Sequence, residues 1–129
     1  MLAVIRLDHA HIFASHLEAT VTFYRTMFGA RVVYDTALVG RRNVRLDIGG
    51  TALHLYDQAP RSADRGLIHH LGIRTDDLDD LIAHMGANGM VFRKEITEDQ
   101  HFRYIMCEAP DGVLLELYEV KAGAAWMVA

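Results

Sequence analysis

Cysteine is almost absent. Cys107 stands alone in 129 residues, so the chain cannot close an internal disulfide or build a thiolate cage for a metal. A reducing compartment follows, and the cytoplasm is the expected location. Proline is nearly as scarce, at two residues, which excludes a proline-rich linker or repeat. Positive charge is short too. Thirteen Lys and Arg against seventeen Asp and Glu leave a formal charge of −4, with no basic surplus for nucleic acid or an anionic membrane. Long apolar runs are missing: MLAVIRLDHAHIF is broken by Arg6, Asp8, His9 and His11. That spoils both a signal peptide and a span of about 20 apolar residues. What remains is 51% apolar and 23% charged, an ordinary core-forming composition with one domain's worth of chain. The surplus is histidine, with eight residues.

The chain reads as one unit written twice. LDHAHIFASHLEATVTFYRTMFGA from Leu7 aligns with IHHLGIRTDDLDDLIAHMGANGM from Ile68, with His9 over His70 and Leu17 over Leu78. GTALHLY from Gly50 aligns with GVLLELY from Gly112, with His54 over Glu116. Such matching layouts argue for duplication of one supersecondary unit. Each unit is expected to open with a strand, over 7–13 and 67–75, followed by a helix. Ser15 with Glu18 has capping-box spacing, and Asp76 with Asp79 is an acidic version of it. Gly29, and Gly86 with Gly89, are the expected helix stops. The apolar stripes are Leu17, Val21, Tyr24 and Phe28, then Leu78, Leu81, Ile82 and Met85. Three strands close each unit, over 31–34, 44–48 and 52–56, then 90–93, 102–107 and 113–118.

The expected fold class is therefore α+β: tandem βαβββ modules forming a cupped mixed sheet with outer helices. Module one covers 5–57, a polar linker 58–66, module two 67–120 and an apolar tail 121–129. The tail, with Trp126, is expected to pack back on the domain or on a second subunit. A homodimer is the expected assembly.

Residues two apart in a strand share a face. His9, His11 and Phe13 therefore point one way, and His70, Gly72 and Arg74 share a face that His69 does not. In the closing strands Leu53 and Leu55 oppose His54, while Leu115 and Leu117 oppose Glu116. One face of each sheet then packs under a helix. The other carries His9, His54, His70 and Glu116 at matching points of the duplicate. A lone strand histidine is more often filler than ligand, but the repetition favours a ligand set. So does the cost of an unpaired carboxylate at Glu116 in the apolar run LLELYE. Imidazole and carboxylate together suit one divalent ion of borderline hardness, Fe, Mn, Ni, Co or Zn. One or two coordination positions would stay open for a small-molecule substrate. Arg41, Arg42 and Arg45 read as a basic cluster in the loop after the second strand, and Gly49–Gly50 as a hairpin turn.

The strand–helix openings and the closing APDGVLLELYE resemble the vicinal oxygen chelate superfamily. It holds glyoxalase I, methylmalonyl-CoA epimerase, fosfomycin resistance enzymes, extradiol dioxygenases and metal-free bleomycin-binding proteins. The similarity runs from Leu7 to Glu119. It implies metal ligands on the opening and last strands of each unit, places held here by His9, His54, His70 and Glu116. His54 departs from the glyoxalase I pattern (His, Glu, His, Glu) and from the epimerase pattern (His, Gln, His, Glu). Three-ligand members would use only His9, His70 and Glu116, leaving His54 as a base or a weak fourth ligand.

The resemblance implies a divalent-metal-dependent lyase or isomerase, acting through an enolate on a substrate that chelates by adjacent oxygens. Glu116 is the expected proton-transfer base and His54 the next candidate. His11, Arg74 and His101 are the expected substrate contacts. Two alternatives stand beside this reading. One is a non-haem Fe(II) dioxygenase, for which Met106 occupies the place of the family's Tyr. The other is an antibiotic-modifying or drug-binding resistance protein, for which the segment over 93–104 is short.

Overall fold

The computed structural model describes residues 4–38, 40–62, 64 and 66–128. Residues 63 and 65 of the expected linker and residue 129 of the expected tail lie outside it. The chain divides into two compact units, Met1–Arg61 and Ser62–Ala129. The first runs β1 (His9–Phe13), α1 (Leu17–Phe28), β2 (Arg31–Leu38), β3 (Arg41–Ile48) and β4 (Thr51–Tyr56). The second runs β5 (Leu71–Arg74), α2 (Leu78–Ala87), β6 (Thr97–Glu98), β7 (Phe102–Glu108) and β8 (Leu114–Val120), with a closing 3₁₀ segment, Ala122–Val128.

Each unit folds into the same four-stranded mixed sheet. The orders are β1-β4-β3-β2 and β5-β8-β7-β6, with the opening strand parallel to the last and the other pairs antiparallel. This is the expected βαβββ layout in duplicate. Directly opposed residues share a sheet face. Ile12, Leu55 and Val44 form one cross-strand row of the first sheet, and Ile73, Leu117 and Ile105 form its counterpart in the second. Leu55, Val44 and Leu117 are fully buried on these faces, as is Leu115 one row away. Helix α1 lies against β4 and α2 against β8, each presenting its buried stripe: Leu17, Val21, Tyr24 and Met27, then Leu78 and Met85.

Local details depart from the sequence reading where a tertiary partner competes. The N-cap of α1 falls one residue past Ser15, at His16, with no side-chain cap bond, and the Glu18 carboxylate pairs with the Arg42 guanidinium of β3. In α2 the cap falls one residue later, at Asp77, whose carboxylate accepts from the Asp80 amide at 3.0 Å. Gly29 does end α1, in the left-handed region at φ 66°. Gly86 lies inside α2. No strand forms over 90–93. The carboxylate of Asp99 accepts from the amides of His101 and Phe102 at 2.7 and 2.9 Å, closing a tight turn. Only Thr97 and Glu98, just before that turn, then face β7.

The tail packs on β8 with Ala124 buried, while Trp126 is 70% exposed and not a core residue. Among the described residues no helix is long and apolar enough to cross a membrane. Cys107 is buried, and burial pushes its thiol up to about 11. Because the thiolate is the reactive form, Cys107 in the native protein is expected to resist a thiol reagent at neutral pH and to react on unfolding. Absorbance of the released chromophore, with and without urea, checks this.

Candidate metal and ligand site

The helix-free face of the first sheet is built from three cross-strand rows. Phe13, Tyr56, Asn43 and Thr36 make one, His11, His54, Arg45 and Tyr34 the next, and His9, Ala52, Asp47 and Arg31 the third. One turn and one strand pairing set this register. The Gly49–Gly50 turn, with both φ positive at 58° and 92°, places Arg45 directly opposite His54. The parallel pairing of β1 then sets His11 opposite His54 from the other side.

Three imidazoles meet there. The rings of His9 and His54 stack with centroids 3.7 Å apart and planes 7° from parallel. His11 lies edge-on to His54 at 6.2 Å. One ligand atom from each falls within 4.8 Å of the others, so the cluster can coordinate a divalent metal ion. Borderline divalent ions take imidazole nitrogen. His9 is prepared for this: its Nδ1 donates to Asp8 Oδ2 at 2.8 Å, which leaves Nε2 with the lone pair. A carboxylate behind a ligating histidine fixes the ring and raises its basicity. Arg45 in turn donates to Asp8 at 2.7 and 3.3 Å and to His54 Nε2 at 2.9 Å. Hydrogen bonds from Arg45 and then from His9 hold the Asp8 carboxyl well below the usual carboxylate range. Burial, followed by the neighbouring His9 and Arg45, pushes His54 below the ordinary histidine value. His54 is therefore neutral at pH 7.

His70 and Glu116 come together in the second unit, with Nε2 and Oε2 3.8 Å apart. Glu116 shares its face with Gly72 and Met106, and Arg74 with Tyr118 and Tyr104 in the next row. His69 does not turn away from His70 as expected. Their Nδ1 atoms are 2.9 Å apart, because both precede β5 and strand alternation does not govern them. His101 stands at the β6–β7 turn, its ring edge-on to Trp126 at 5.9 Å. The three arginines are not in a loop but on β3. Arg42 pairs with Asp35 and Glu18, and Arg41 donates to the Asp57 carbonyl at 3.3 Å. The third, Arg45, belongs to the histidine cluster.

Sequence reasoning missed Asp8 and Arg45 as partners of the cluster and placed His11 beside it rather than in it. It also missed Asn43, which is only 7% exposed and whose Oδ1 finds no hydrogen-bond partner among the described residues. Leaving a buried acceptor unsatisfied costs about 1–3 kcal/mol. Asn43→Leu, close in shape, is therefore expected to stabilise the free protein by about 1 kcal/mol, read from urea denaturation. Destabilisation would show that the carboxamide has a partner in solution.

The Bacillus subtilis (strain 168) protein YwbC, described as uncharacterized, is 25% identical over 122 residues, spanning 88% of this chain and 97% of its own. TnmS3, an antibiotic binding protein from Streptomyces sp. CB03234, superposes with a TM-score of 0.79 at 24% identity, covering 94% of this chain and 100% of that one. FosX, a genomically encoded fosfomycin resistance protein from Listeria monocytogenes, superposes at 0.77 with 18% identity, covering 95% and 98%. A variant of FosX has been solved in complex with Mn(II) and 1S,2S-dihydroxypropylphosphonic acid. These structures share the fold. Residues 6–117 match the family model, and the chain belongs to the Glyoxalase/Bleomycin resistance protein/Dioxygenase superfamily.

Proposed function

We propose that the protein acts on a small, oxygen-bearing molecule of the antibiotic kind, with a divalent ion as part of its site. The observation that carries this reading is His9, stacked in a three-imidazole cluster with a carboxylate on its Nδ1. A protein that only wraps a drug has no need of an oriented metal-type histidine, so modification is favoured over capture. The likeness to FosX and TnmS3 supports the ligand class. His9 through Nε2 and His11 would hold the ion in the first unit, and the sequence repeat proposes His70 and Glu116 as the corresponding donors of the second. When bound, the ion would supply Lewis-acid stabilisation of negative charge on neighbouring ligand oxygens. The chain's own part is to fix the imidazoles through Asp8; in the second unit Glu116, beside His70, is the carboxylate proposed for proton transfer. That carboxylate keeps the lyase or isomerase step as the second reading.

The test is expression in a drug-sensitive bacterial host challenged with fosfomycin and an antibiotic panel. Elemental analysis and thermal shifts of the purified protein with Mn(II) accompany it. Protection that His9→Ala abolishes is expected, with bound metal also lost in His9→Ala. No bound metal after reconstitution with Fe, Mn, Co, Ni and Zn, and no drug-induced shift, would overturn the reading.

A further inference from the structure

His54 holds a position where the sequence repeat expects a metal ligand, yet its hydrogen bonds commit it elsewhere. A guanidinium has only donors and keeps its proton in proteins. Arg45 Nη1, 2.9 Å from His54 Nε2, must therefore donate, and Nε2 must accept with its lone pair. A neutral imidazole that accepts at Nε2 carries its proton on Nδ1. Both nitrogens are then spoken for, and neither offers a lone pair to an ion. His9 is set the other way, with its proton on Nδ1 toward Asp8 and its lone pair on Nε2. One ion pair, Asp8–Arg45, thus gives two stacked rings opposite roles. The register holds the arrangement, since Arg45 and His54 are direct partners across β3 and β4. Ligation by Nε2 would require Arg45 Nη1 to leave His54, although the same Nη1 is held in place by Asp8. A cation bound there would also face the guanidinium's positive charge.

We propose that His54 is not a metal ligand but a neutral hydrogen-bond donor, through Nδ1–H, to an oxygen of the bound molecule, and that Arg45 anchored on Asp8 is the positioning residue that enforces this tautomer. The ligand chemistry that fits is a carbonyl, carboxylate or phosphonate oxygen, on which negative charge rests or develops. A neutral imidazole stabilises such an oxygen without bringing a charge of its own near the ion. The identity of the acceptor rests on the proposed function. The tautomer does not, because it belongs to the free protein.

The experiment is nitrogen-15 NMR of the histidine side chains in the full chain, metal-free, then with zinc, then with acetohydroxamate as an oxygen-chelating probe. In the metal-free protein His54 is expected to show a protonated Nδ1 and an unprotonated Nε2. Zinc should move the His9 Nε2 signal to the metal-bound position and leave both His54 nitrogens unchanged in type. Acetohydroxamate should then shift the His54 Nδ1 proton downfield. In Arg45→Met the His54 tautomers should mix, and zinc should capture His54 Nε2. His54→Ala should keep zinc affinity within about threefold, against at least tenfold lost in His9→Ala. Zinc capture of His54 in the unsubstituted protein, an unaltered tautomer in Arg45→Met, or no response of His54 to the chelator would overturn the proposal. Failure of zinc to move any histidine would instead defeat the proposed metal function, while the metal-free spectrum still decides the tautomer.

Discussion

His9→Ala is expected to lower divalent-metal affinity by about a hundredfold, and Asp8→Asn by ten- to a hundredfold. The first removes a ligand whose lone pair the structure leaves on Nε2. The second keeps the shape and an acceptor for His9 Nδ1 but removes the charge. Asp8 accepts from His9 at 2.8 Å and from Arg45 at 2.7 Å, so its carboxylate both orients the ligand ring and offsets the guanidinium. Without that charge, Arg45 would stand uncompensated beside the imidazoles and repel an incoming cation. The Asn variant is therefore expected to bind metal less tightly and with a stronger dependence on salt, since added ions screen the uncompensated guanidinium. Competition against a chelator at two salt concentrations measures both. An Asp8→Asn protein with unchanged affinity would show that His9 needs no carboxylate behind it.

Much of this architecture is legible in the chain itself, and the exceptions have physical reasons. Alternation placed Leu53 and Leu55 opposite in sense to His54, and the sheet buries the leucines under α1 as that pattern requires. The repeat likewise anticipated identical strand orders in the two units. Arg45 was missed although the information was present. A two-residue turn at Gly49–Gly50 pairs position 45 with position 54, but Arg45, although inside the expected strand over 44–48, is grouped with Arg41 and Arg42 as a loop cluster. Alternation over the expected strand 7–13 sends Asp8 to the face opposite His9, but Asp8 precedes β1, where side-chain direction is free of the pleat, and bonds to His9. His69 escaped for the same reason before β5. The helix-start carboxylate of Glu18 has more than one suitor, and it pairs with a strand arginine distant in sequence, a stronger donor than a backbone amide. Positions governed by period and burial were readable, whereas polar side chains at strand entrances were decided by partners that only the fold brings close.

The contrast between governed and ungoverned positions carries the last expected result. Leu55→Ala and Leu117→Ala should each destabilise the protein by about 2–5 kcal/mol, whereas Leu7→Ala should change stability by less than about 0.5 kcal/mol. All three leucines lie in stretches read from sequence as strand. Leu55 and Leu117 are fully buried, while Leu7 is 97% exposed. Leu55 is flanked across the sheet by Ile12 and Val44, and Leu117 by Ile73 and Ile105. Truncation at either site therefore loses the transfer free energy of the side chain and leaves a cavity that rigid strands cannot close. Leu7 precedes β1 and has no such cost to lose. Because a domain of this size is stable by only about 5–15 kcal/mol, the double variant Leu55→Ala/Leu117→Ala should be largely unfolded at room temperature. Urea denaturation followed by circular dichroism gives all four values. A loss below about 1 kcal/mol at either buried leucine would mean that its sheet face is not packed as the cross-strand rows require.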